Sequence, residues 1–267
     1  MRLPILRRAA ETDYDAFAEL YARLRFVEPV PSLDAFRRLA PHLLLAEGES
    51  GVEGMVLIRR GSKTARIGML AVSRKAEGRG LGRKMMFAAA AQLRSEGIKR
   101  WVLTVRRTNT RAMDLYASMG MKDISAGAYW CVARRAIARL PARAPGIRTR
   151  PAGPGDYVKL ERAVAFPKGM LSGKHAERLL VAAHGGGRAL GVALLQGADE
   201  DGLILLNAKN DGVIAPLLSE LWPDEPTLAV FSTSKLVHDA LHEVGAELLF
   251  ETVEMEGPLP LRTASAV

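Results

Sequence analysis

The stretch A71-V-S-R-K-A-E-G-R-G-L-G-R-K-M-M86 decides the fold, because it places a glycine-rich turn between two regular elements. The apolar residues before the turn are typical of a strand, and the periodic apolar residues after it predict a helix that ends at Gly97. Glycine has no Cβ atom, so Gly78, Gly80 and Gly82 allow a tight turn and a close approach to a ligand.

This turn has the features of a phosphate-binding loop. Backbone N–H groups at the glycines, together with the positive dipole end of the following helix, can bind a diphosphate. Arg79, Arg83 and Lys84 add positive charge at the same place. A glycine-rich turn without a ligand remains the alternative at this point. The stretch is neither a Walker A loop nor a dinucleotide-binding fingerprint, because neither G-K-[ST] nor G-x-x-G follows at the required place.

A second informative stretch, N109-T-R-A-M-D-L-Y-A-S-M-G-M121, follows a predicted strand over residues 100–105. Its spacing predicts a helix over residues 110–119, with Asn109 before it and Gly120 at its end. Asn109 is a suitable N-cap for this helix, and Tyr116 is suited to packing its ring against the core.

Together the two stretches resemble the GNAT N-acetyltransferase superfamily. The loop of that family reads roughly [QR]-G-x-G-x-[GA], and its later segment reads N-x-x-A-x-x-L-Y-x-x-x-G-[FM]. The second pattern is the more specific, and the order of predicted elements over residues 1–135 also fits. One position departs from the family, because Glu77 stands where Gln or Arg is usual. We expect the Glu77 carboxylate to point outward and Arg79 to compensate its charge; if it points inward, cofactor affinity should be reduced. The later pattern is matched by Asn109, Ala112, Leu115, Tyr116, Gly120 and Met121.

The resemblance implies an acetyl-CoA-dependent N-acetyltransferase that uses no metal. It implies that Tyr116 protonates the departing thiolate and that Asn109 hydrogen-bonds the pantetheine arm. A backbone N–H on the strand beside this arm would polarise the thioester carbonyl. The alternative is a CoA-binding regulatory module without turnover. The implied cofactor contacts are Leu70, Ala71, Val72, Gly78, Arg79, Gly80, Leu81, Gly82, Arg83, Asn109 and Tyr116.

The acceptor is expected to be a primary amine of a small molecule or a peptide. The resemblance places acceptor selection in the segment 26–31 and at Tyr129 and Trp130, although these aromatic residues suit a core or a surface equally well. The general base is not identified by the sequence. Glu28 is one candidate, and a chain of water molecules is the other. The chain is expected to be a monomer or a homodimer.

The chain reads as a tandem duplication with a boundary at the Pro/Ala/Arg stretch 140–146. Residues 150–157 share Arg, Ala, Asp and Tyr with residues 7–14, at an offset of 143. A second similarity relates the two predicted helices that end at Gly120 and Gly245, at an offset of 125. We therefore predict an acetyltransferase domain at 1–140 and a degenerate GNAT-like domain at 147–267. Because the second copy lacks a G-x-G-x-G loop, it is expected to complete the acceptor pocket or the sheet edge rather than bind CoA.

The predicted class is α+β with three layers, in which helices flank a mixed, mostly antiparallel sheet. In the first copy the predicted strands cover residues 3–8, 42–47, 52–60, 65–72, 100–105 and 127–133. Helices are predicted from residue 13 to about 25, after Ser32, from the loop to about 96, and over 110–119.

Composition and charge exclude several functional classes. The chain has 267 residues, of which 48% are hydrophobic and 25% charged, an ordinary globular composition. Its longest apolar run, Met85–Ala91, is too short for a membrane span, and no secretory signal is evident, so a cytoplasmic protein is expected.

Residues 1–145 carry 27 Lys and Arg against 13 Asp and Glu, a balance of +14, whereas residues 146–267 carry 11 against 16, a balance of −5. The basic half suits a phosphorylated small molecule; nucleic-acid binding is disfavoured because no aromatic interleaving accompanies the charge.

Other candidate sites have simpler interpretations. His238 and His242 have the i, i+4 spacing of zinc ligands, but no third ligand is evident, which favours a helix face. The glycines at 185–187 are interpreted as a hairpin turn rather than a phosphate loop. Cys131 alternates with apolar residues in a predicted strand and is expected to be a small buried hydrophobe.

Overall fold

The chain is described by a computed structural model that covers residues 5–24, 26, 29–48, 51–61, 63–153, 155–166, 171, 178–183, 188–196, 203–222 and 225–260. In chain order its strands and helices are β1 (Leu6–Arg8), α1 (Tyr14–Ala22), α2 (Leu33–Leu39), β2 (Leu43–Gly48), β3 (Gly51–Arg60), β4 (Thr64–Val72), α3 (Leu81–Ser95), β5 (Arg100–Arg106), α4 (Thr110–Ala117), β6 (Lys122–Ala133), β7 (Arg148–Pro151), α5 (Tyr157–Ala163), β8 (Arg178–Ala183), β9 (Ala189–Gln196), β10 (Leu203–Ala208), α6 (Ile214–Leu221), β11 (Thr227–Ser232), α7 (Lys235–Glu243) and β12 (Glu247–Pro258).

The chain divides into two compact units. The described residues of unit 1 lie within Met1–Val105, Asn109–Ile124 and Glu254–Val267, and those of unit 2 lie within Arg106–Thr108 and Ser125–Val253. Each unit is therefore built from more than one segment of the chain. These units differ from the predicted domains, since residues 125–140 belong to unit 2 and the described residues from Glu254 onward belong to unit 1.

The sheet of unit 1 is mixed and mostly antiparallel. Strands β1 to β4 pair antiparallel in chain order, and β4 then pairs parallel with β5 from Thr64↔Arg100 to Ile67↔Leu103. The crossover between β4 and β5 contains the glycine-rich turn and α3, which is why this connection can join parallel strands. The strand bounds agree with the sequence predictions to within two residues for β2, β3, β4 and β5.

Helices cover both faces of this sheet. On one face α1 and α2 pack through Phe17, Leu20 and Phe36 against alternate strand residues such as Leu45 and Met55. On the other, α3 packs against β3 and β4, so closely that a Cβ atom at Gly54 would lie 2.5 Å from Met85 Sδ. The result is three layers, as the sequence predicted. Ser32 accepts a hydrogen bond from Ala35 N (3.3 Å) and thereby caps α2.

The C-terminal end of β12 completes unit 1 beside β5. Arg66 Nη2 donates to Glu254 Oε1 (2.5 Å), and Arg100 Nε donates to Glu256 Oε1 (2.6 Å). The Leu259 N–H donates to the Lys99 carbonyl (3.1 Å). These bonds connect residues more than 150 positions apart, so no local sequence pattern signals them.

Unit 2 repeats the element order of unit 1. Its strands β7 to β10 pair antiparallel in chain order, and β10 pairs parallel with β11 from Leu203↔Ala229 to Leu205↔Phe231. Helix α6 lies in the crossover between those two strands, as α3 does in unit 1. β6 pairs antiparallel with β11 and begins five residues earlier than predicted, at Lys122. Along the chain, the order strand, helix, three strands, helix, strand, helix, strand thus occurs twice, from β1 to β6 and from β7 to β12, with α2 as an addition to the first occurrence.

Candidate active site

The glycine-rich turn between β4 and α3 requires its glycines. Gly78 and Gly80 have φ values of +74° and +75°, in the left-handed region that L side chains rarely adopt. No heavy atom lies within 4 Å of a Cβ placed at either residue, so space does not select glycine there. Backbone conformation is therefore the reason for glycine at these two positions. The surface over the turn is open to solvent.

The turn presents a cluster of backbone donors. Within the part of the chain that the structure describes, five backbone N–H groups around the entry to α3 have no acceptor, whereas the Arg79 N–H among them donates to the Ala76 carbonyl (3.4 Å). The first helical bond runs from Lys84 N to the Gly80 carbonyl (3.1 Å). The free N–H groups at the start of a 15-residue helix form a positive end that can bind an anion. The donors belong to Gly78, Gly80, Leu81, Gly82 and Arg83.

Strands β4 and β5 separate next to this turn. Their parallel pairing ends at Ile67↔Leu103, and β4 continues to Val72. Gly68 is an extra residue in β4, because Leu57 and Ile58 on β3 pair with Met69 and Ile67 respectively. A bulge of this kind bends a strand and increases its twist. The β4 backbone beyond Ile67 thus borders an opening in the sheet, where an extended ligand can bind as a further strand.

The predicted contacts of the pantetheine arm border the same opening. Leu70 and Val72 are half-buried and Ala71 is buried in the core. A Cβ atom at Gly82 would lie 3.6 Å from Val72 Cγ2 and 4.0 Å from Leu70 Cδ2. The first turn of α3 therefore lies against the end of β4, which brings the donor cluster and these strand residues together.

A direct hydrogen bond joins the C-terminal end of α4 to the first turn of α3. Arg83 Nη2 donates to Ser118 Oγ (3.0 Å) just beyond the last residue of α4. At the other end of the helix, Asn109 Oδ1 accepts from Ala112 N (3.2 Å). Asn109 is thus the N-cap of α4, and its amide Nδ2 makes no hydrogen bond to another described residue.

Tyr116 combines burial with an unused hydroxyl. Its side chain is 7% exposed, and its Oη atom has no hydrogen-bond partner among the described residues. Burial raises the pKa of the Tyr116 phenol to about 12, because the charged phenolate loses its hydration. The phenol therefore stays protonated at neutral pH. A protonated buried hydroxyl that is not committed to another residue can donate a proton to a ligand.

The charge of Glu77 is compensated by a residue that the sequence did not identify. Arg23, directly after α1, pairs with the Glu77 carboxylate and also donates from Nε to the Val72 carbonyl (3.0 Å). The Glu77 side chain is 46% exposed, in agreement with an outward orientation. Its ion-pair partner is Arg23, whereas the sequence predicted Arg79. The reason is position: Arg23 comes from α1, 54 residues away in sequence, and reaches both the loop and the end of β4.

The residues predicted to select the acceptor are divided between the two units. Phe26 is 38% exposed and packs edge-on against Tyr21, with ring centroids 5.3 Å apart. Tyr129 and Trp130 belong to unit 2, where Tyr129 stacks on Phe250 at 4.5 Å. Glu28 lies outside the described residues, so its candidacy as the general base is not addressed by the structure.

The structure describes two of the three remaining candidate sites. A ring nitrogen of His238 lies 2.9 Å from the Ser232 carbonyl, and His242 is exposed. No group of three metal-ligating side chains occurs among the described residues. Cys131 is a free, half-buried thiol, less buried than predicted. The glycines at 185–187 lie outside the described residues.

No helix in the described ranges is both long enough and apolar enough to cross a membrane.

Comparisons with known proteins agree with the resemblance inferred from the two motifs. Residues 7–121 match the sequence model of the acetyltransferase (GNAT) family. No curated protein matches the chain in sequence.

Two solved structures show the fold over nearly the whole chain. A GCN5-related N-acetyltransferase from Sphaerobacter thermophilus is 17% identical, with a TM-score of 0.65 and coverage of 98% of both chains. A tandem GNAT protein from the clavulanic acid biosynthesis pathway is 14% identical, with a TM-score of 0.66, and the alignment covers 97% of this chain and 99% of that one. The chain thus has the GNAT fold over nearly its whole length, and its residues 7–121 match the acetyltransferase (GNAT) family.

Proposed function

We propose that unit 1 is an acetyl-CoA-dependent N-acetyltransferase that acts on a primary amine of a small molecule or peptide. The observation that carries this proposal is the cluster of N–H groups, at Gly78 and from Gly80 to Arg83, that have no acceptor among the described residues and lie against the end of β4 where the sheet opens. The buried, protonated Tyr116 on α4, the helix whose C-terminal end is hydrogen-bonded to Arg83, supports it. A phosphate-bearing ligand with an extended amide arm fits this donor set, because the loop offers N–H groups and the β4 edge offers backbone partners.

Each part of the site has a binding role in this proposal. The N–H groups of the loop bind the diphosphate, and the exposed Arg79 guanidinium adds charge at the same place. The β4 edge at Leu70, Ala71 and Val72 aligns the pantetheine arm. Arg83 acts through its Ser118 bond by holding α4 against the loop. In this proposal the Asn109 amide Nδ2 donates to the arm, and the role is supported by the fact that its Oδ1 caps α4 and leaves Nδ2 unused among the described residues.

The chemical step requires a nucleophilic amine, a polarised carbonyl and a protonated leaving group. Acetyl-CoA, when bound, supplies an activated acetyl group on a thiol leaving group. A β4 backbone N–H polarises the carbonyl, and Tyr116 Oη donates its proton to the leaving sulfur. The raised pKa of Tyr116 keeps that proton in place until negative charge develops.

Tyr116→Phe tests the proposal, because it removes only the hydroxyl from a buried ring. We expect the kcat for acetyl-CoA consumption over an amine library to fall by about 10²-fold or more, the usual contribution of a positioned acid. The dissociation constant for CoA should change by less than about threefold, since the loop is intact. Isothermal titration calorimetry measures the binding, and thiol release measures turnover.

Tyr157→Phe serves as the control, because it removes a phenolic hydroxyl from unit 2 and should leave kcat unchanged. Equal turnover by wild type and Tyr116→Phe would refute the role of Tyr116. CoA binding without turnover on any amine would support the regulatory module instead. A chain that binds no CoA would refute both functions.

A further inference from the structure

The turn that we propose to bind a diphosphate carries an acidic residue at its head. Glu77 directly precedes Gly78, and its side chain is 46% exposed. A carboxylate beside a bound diphosphate opposes binding, because like charges repel and the region is only partly screened by water. The loop therefore needs a neighbouring cation to offset this charge.

Arg23 is placed to offset it. Its side chain is 29% exposed and is held at two points, by the Glu77 carboxylate and by the Val72 carbonyl (3.0 Å). Two bonds from one planar guanidinium fix its orientation better than an ordinary surface pair. The three partners are the end of α1, the last residue of β4 and the first residue of the loop. Arg79, in contrast, has no ion-pair partner among the described residues and remains available to a ligand.

We propose that Arg23 is a positioning residue for the cofactor, which sets affinity by neutralising Glu77 at the head of the diphosphate loop. Arg23 acts through Glu77 and does not itself bind the diphosphate. The inference rests on the proposed function, since it assumes that the loop binds the diphosphate of CoA. It accounts for the one residue at which the loop departs from the family pattern.

A double-mutant cycle on the full-length chain tests this role through binding rather than turnover. We expect Arg23→Gln to raise the dissociation constant for CoA about five- to tenfold at low salt, the effect of one uncompensated charge near the ligand. Glu77→Gln should leave the affinity equal or higher. The double variant Arg23→Gln with Glu77→Gln should return to within about twofold of Glu77→Gln alone.

Two further measurements separate charge from a merely structural effect. The penalty of Arg23→Gln should shrink as NaCl is raised from about 50 to about 300 mM, because salt screens the Glu77 charge. Dephospho-CoA, which keeps the diphosphate but lacks the 3′-phosphate, should show the same penalty as CoA.

Arg60→Gln is the matched control, because it breaks another half-buried ion pair, Arg60 Nε to Glu96 Oε2 (2.7 Å), in the same unit. Glu96 follows the last residue of α3, whereas the loop precedes the first one. This variant should lower the melting temperature without changing the CoA dissociation constant.

Several results would overturn the inference. An Arg23→Gln penalty that persists unchanged in the Glu77→Gln background would show that Arg23 acts on the ligand directly or only as a brace. An unchanged CoA affinity in Arg23→Gln would refute any role of Arg23 in binding. A penalty that is insensitive to salt, or absent for dephospho-CoA, would refute the neutralisation of Glu77 at the diphosphate as its cause. Each of these outcomes leaves the proposed function standing. A wild-type chain that binds no CoA would refute the inference and the proposed function together.

Discussion

The two units place the same elements in the same order, but the turns that precede their crossover helices differ. In unit 1 the turn before α3 and the first three residues of α3 together leave five N–H groups without an acceptor among the described residues. In unit 2 the turn before α6 satisfies its own donors: the Gly212 N–H donates to Asn210 Oδ1 (2.9 Å) and to Asp211 Oδ1 (2.8 Å). The third helical residue, Pro216, has no N–H at all.

Packing closes the turn of unit 2 as well. A Cβ atom at Gly212 would lie 2.9 Å from Ala144 N and 3.1 Å from the Ala142 carbonyl oxygen, so the predicted linker covers this helix end. The corresponding positions in unit 1, Gly78 and Gly80, have nothing within 4 Å. The fold alone therefore does not make a phosphate site; free donors and open space at the turn are also required.

The sheet opening is also closed in unit 2. Asn207, 1% exposed on β10, donates from Nδ2 to Thr233 Oγ1 (2.7 Å) and to the Ala165 carbonyl (3.1 Å), and its Oδ1 accepts from Ser232 Oγ (2.9 Å). These bonds fill the space beyond the last β10–β11 pair with side-chain polar groups. Leu241 stands where unit 1 has Tyr116, at the offset of 125 that relates the two closing helices. We accordingly propose that unit 2 binds no CoA.

Asn207→Ala should have the largest effect on stability, because it leaves several buried partners without their hydrogen bonds. We expect the free energy of unfolding to fall by about 3 kcal/mol in urea denaturation. CoA affinity should stay within about twofold of wild type, since unit 1 holds the proposed site.

Asn210→Ala is the control for this substitution. Its donor, the Gly212 N–H, keeps Asp211 Oδ1 as an acceptor, so the loss should be below about 1 kcal/mol. A strong loss of CoA affinity in folded Asn207→Ala would contradict the assignment of binding to unit 1.

An equivalent Arg–Asp ion pair occurs near the start of each unit, and we expect the two pairs to contribute differently, and less than Asn207 does, to the free energy of unfolding. Arg7 Nη1 pairs with Asp13 Oδ2 (2.7 Å), and Arg150 Nη1 pairs with Asp156 Oδ2 (2.9 Å). The Asp13 side chain is 10% exposed and the Asp156 side chain 33%. Asp13→Asn should therefore lower the free energy of unfolding at pH 7 by about 1 kcal/mol, and Asp156→Asn by less.

The sign of the pH dependence follows from the carboxyl pKa values. Hydrogen bonds from Arg7 hold the pKa of Asp13 below its usual value, and those from Arg150 do the same for Asp156. The stabilisation is thus fully present above the unfolded-state pKa of roughly 4, and it is lost as pH falls through the lowered folded-state pKa. Urea unfolding at pH 7, 5 and 3 should show the difference between wild type and Asp13→Asn shrinking only at the lowest pH. A constant difference would refute the ion pair as its cause.

Local patterns predicted those parts of the fold that depend on local chemistry. The similarity between residues 7–14 and 150–157 corresponds to a repeated contact. In both copies the shared Asp accepts a hydrogen bond from the backbone N–H three residues earlier, at Ala10 (2.7 Å) and at Gly153 (3.2 Å). The similarity between the two helices that end in glycine also corresponds to a repeated backbone conformation, since Gly120 and Gly245 have φ values of +83° and +74°. Turn glycines, helix caps and apolar periodicity depend on residues that are close together in the chain. They can therefore be recognised from one sequence without knowledge of tertiary contacts.

Contacts between distant segments could not be predicted in this way. The sequence identified Glu77 as unusual but not Arg23 as its partner, because a pairing over 54 positions depends on how α1 packs. Likewise residues 254–260 fall in the predicted second domain, whereas they belong to unit 1, where Glu254 and Glu256 bond to β4 and β5. The predicted boundary at 140–146 stays a prediction about the duplication and does not separate the compact units.

The most direct test of the central claim is a calorimetric titration of the full-length chain with CoA, repeated on Gly80→Ala and Gly97→Ala. Both glycines have positive φ, +75° and +79°, with nothing within 4 Å, and they lie at opposite ends of α3. Alanine should strain either position by about 1–2 kcal/mol. We predict one CoA site per chain, weakened about tenfold or more by Gly80→Ala and unchanged by Gly97→Ala. Two sites per chain, or an affinity that Gly80→Ala leaves intact, would contradict the account.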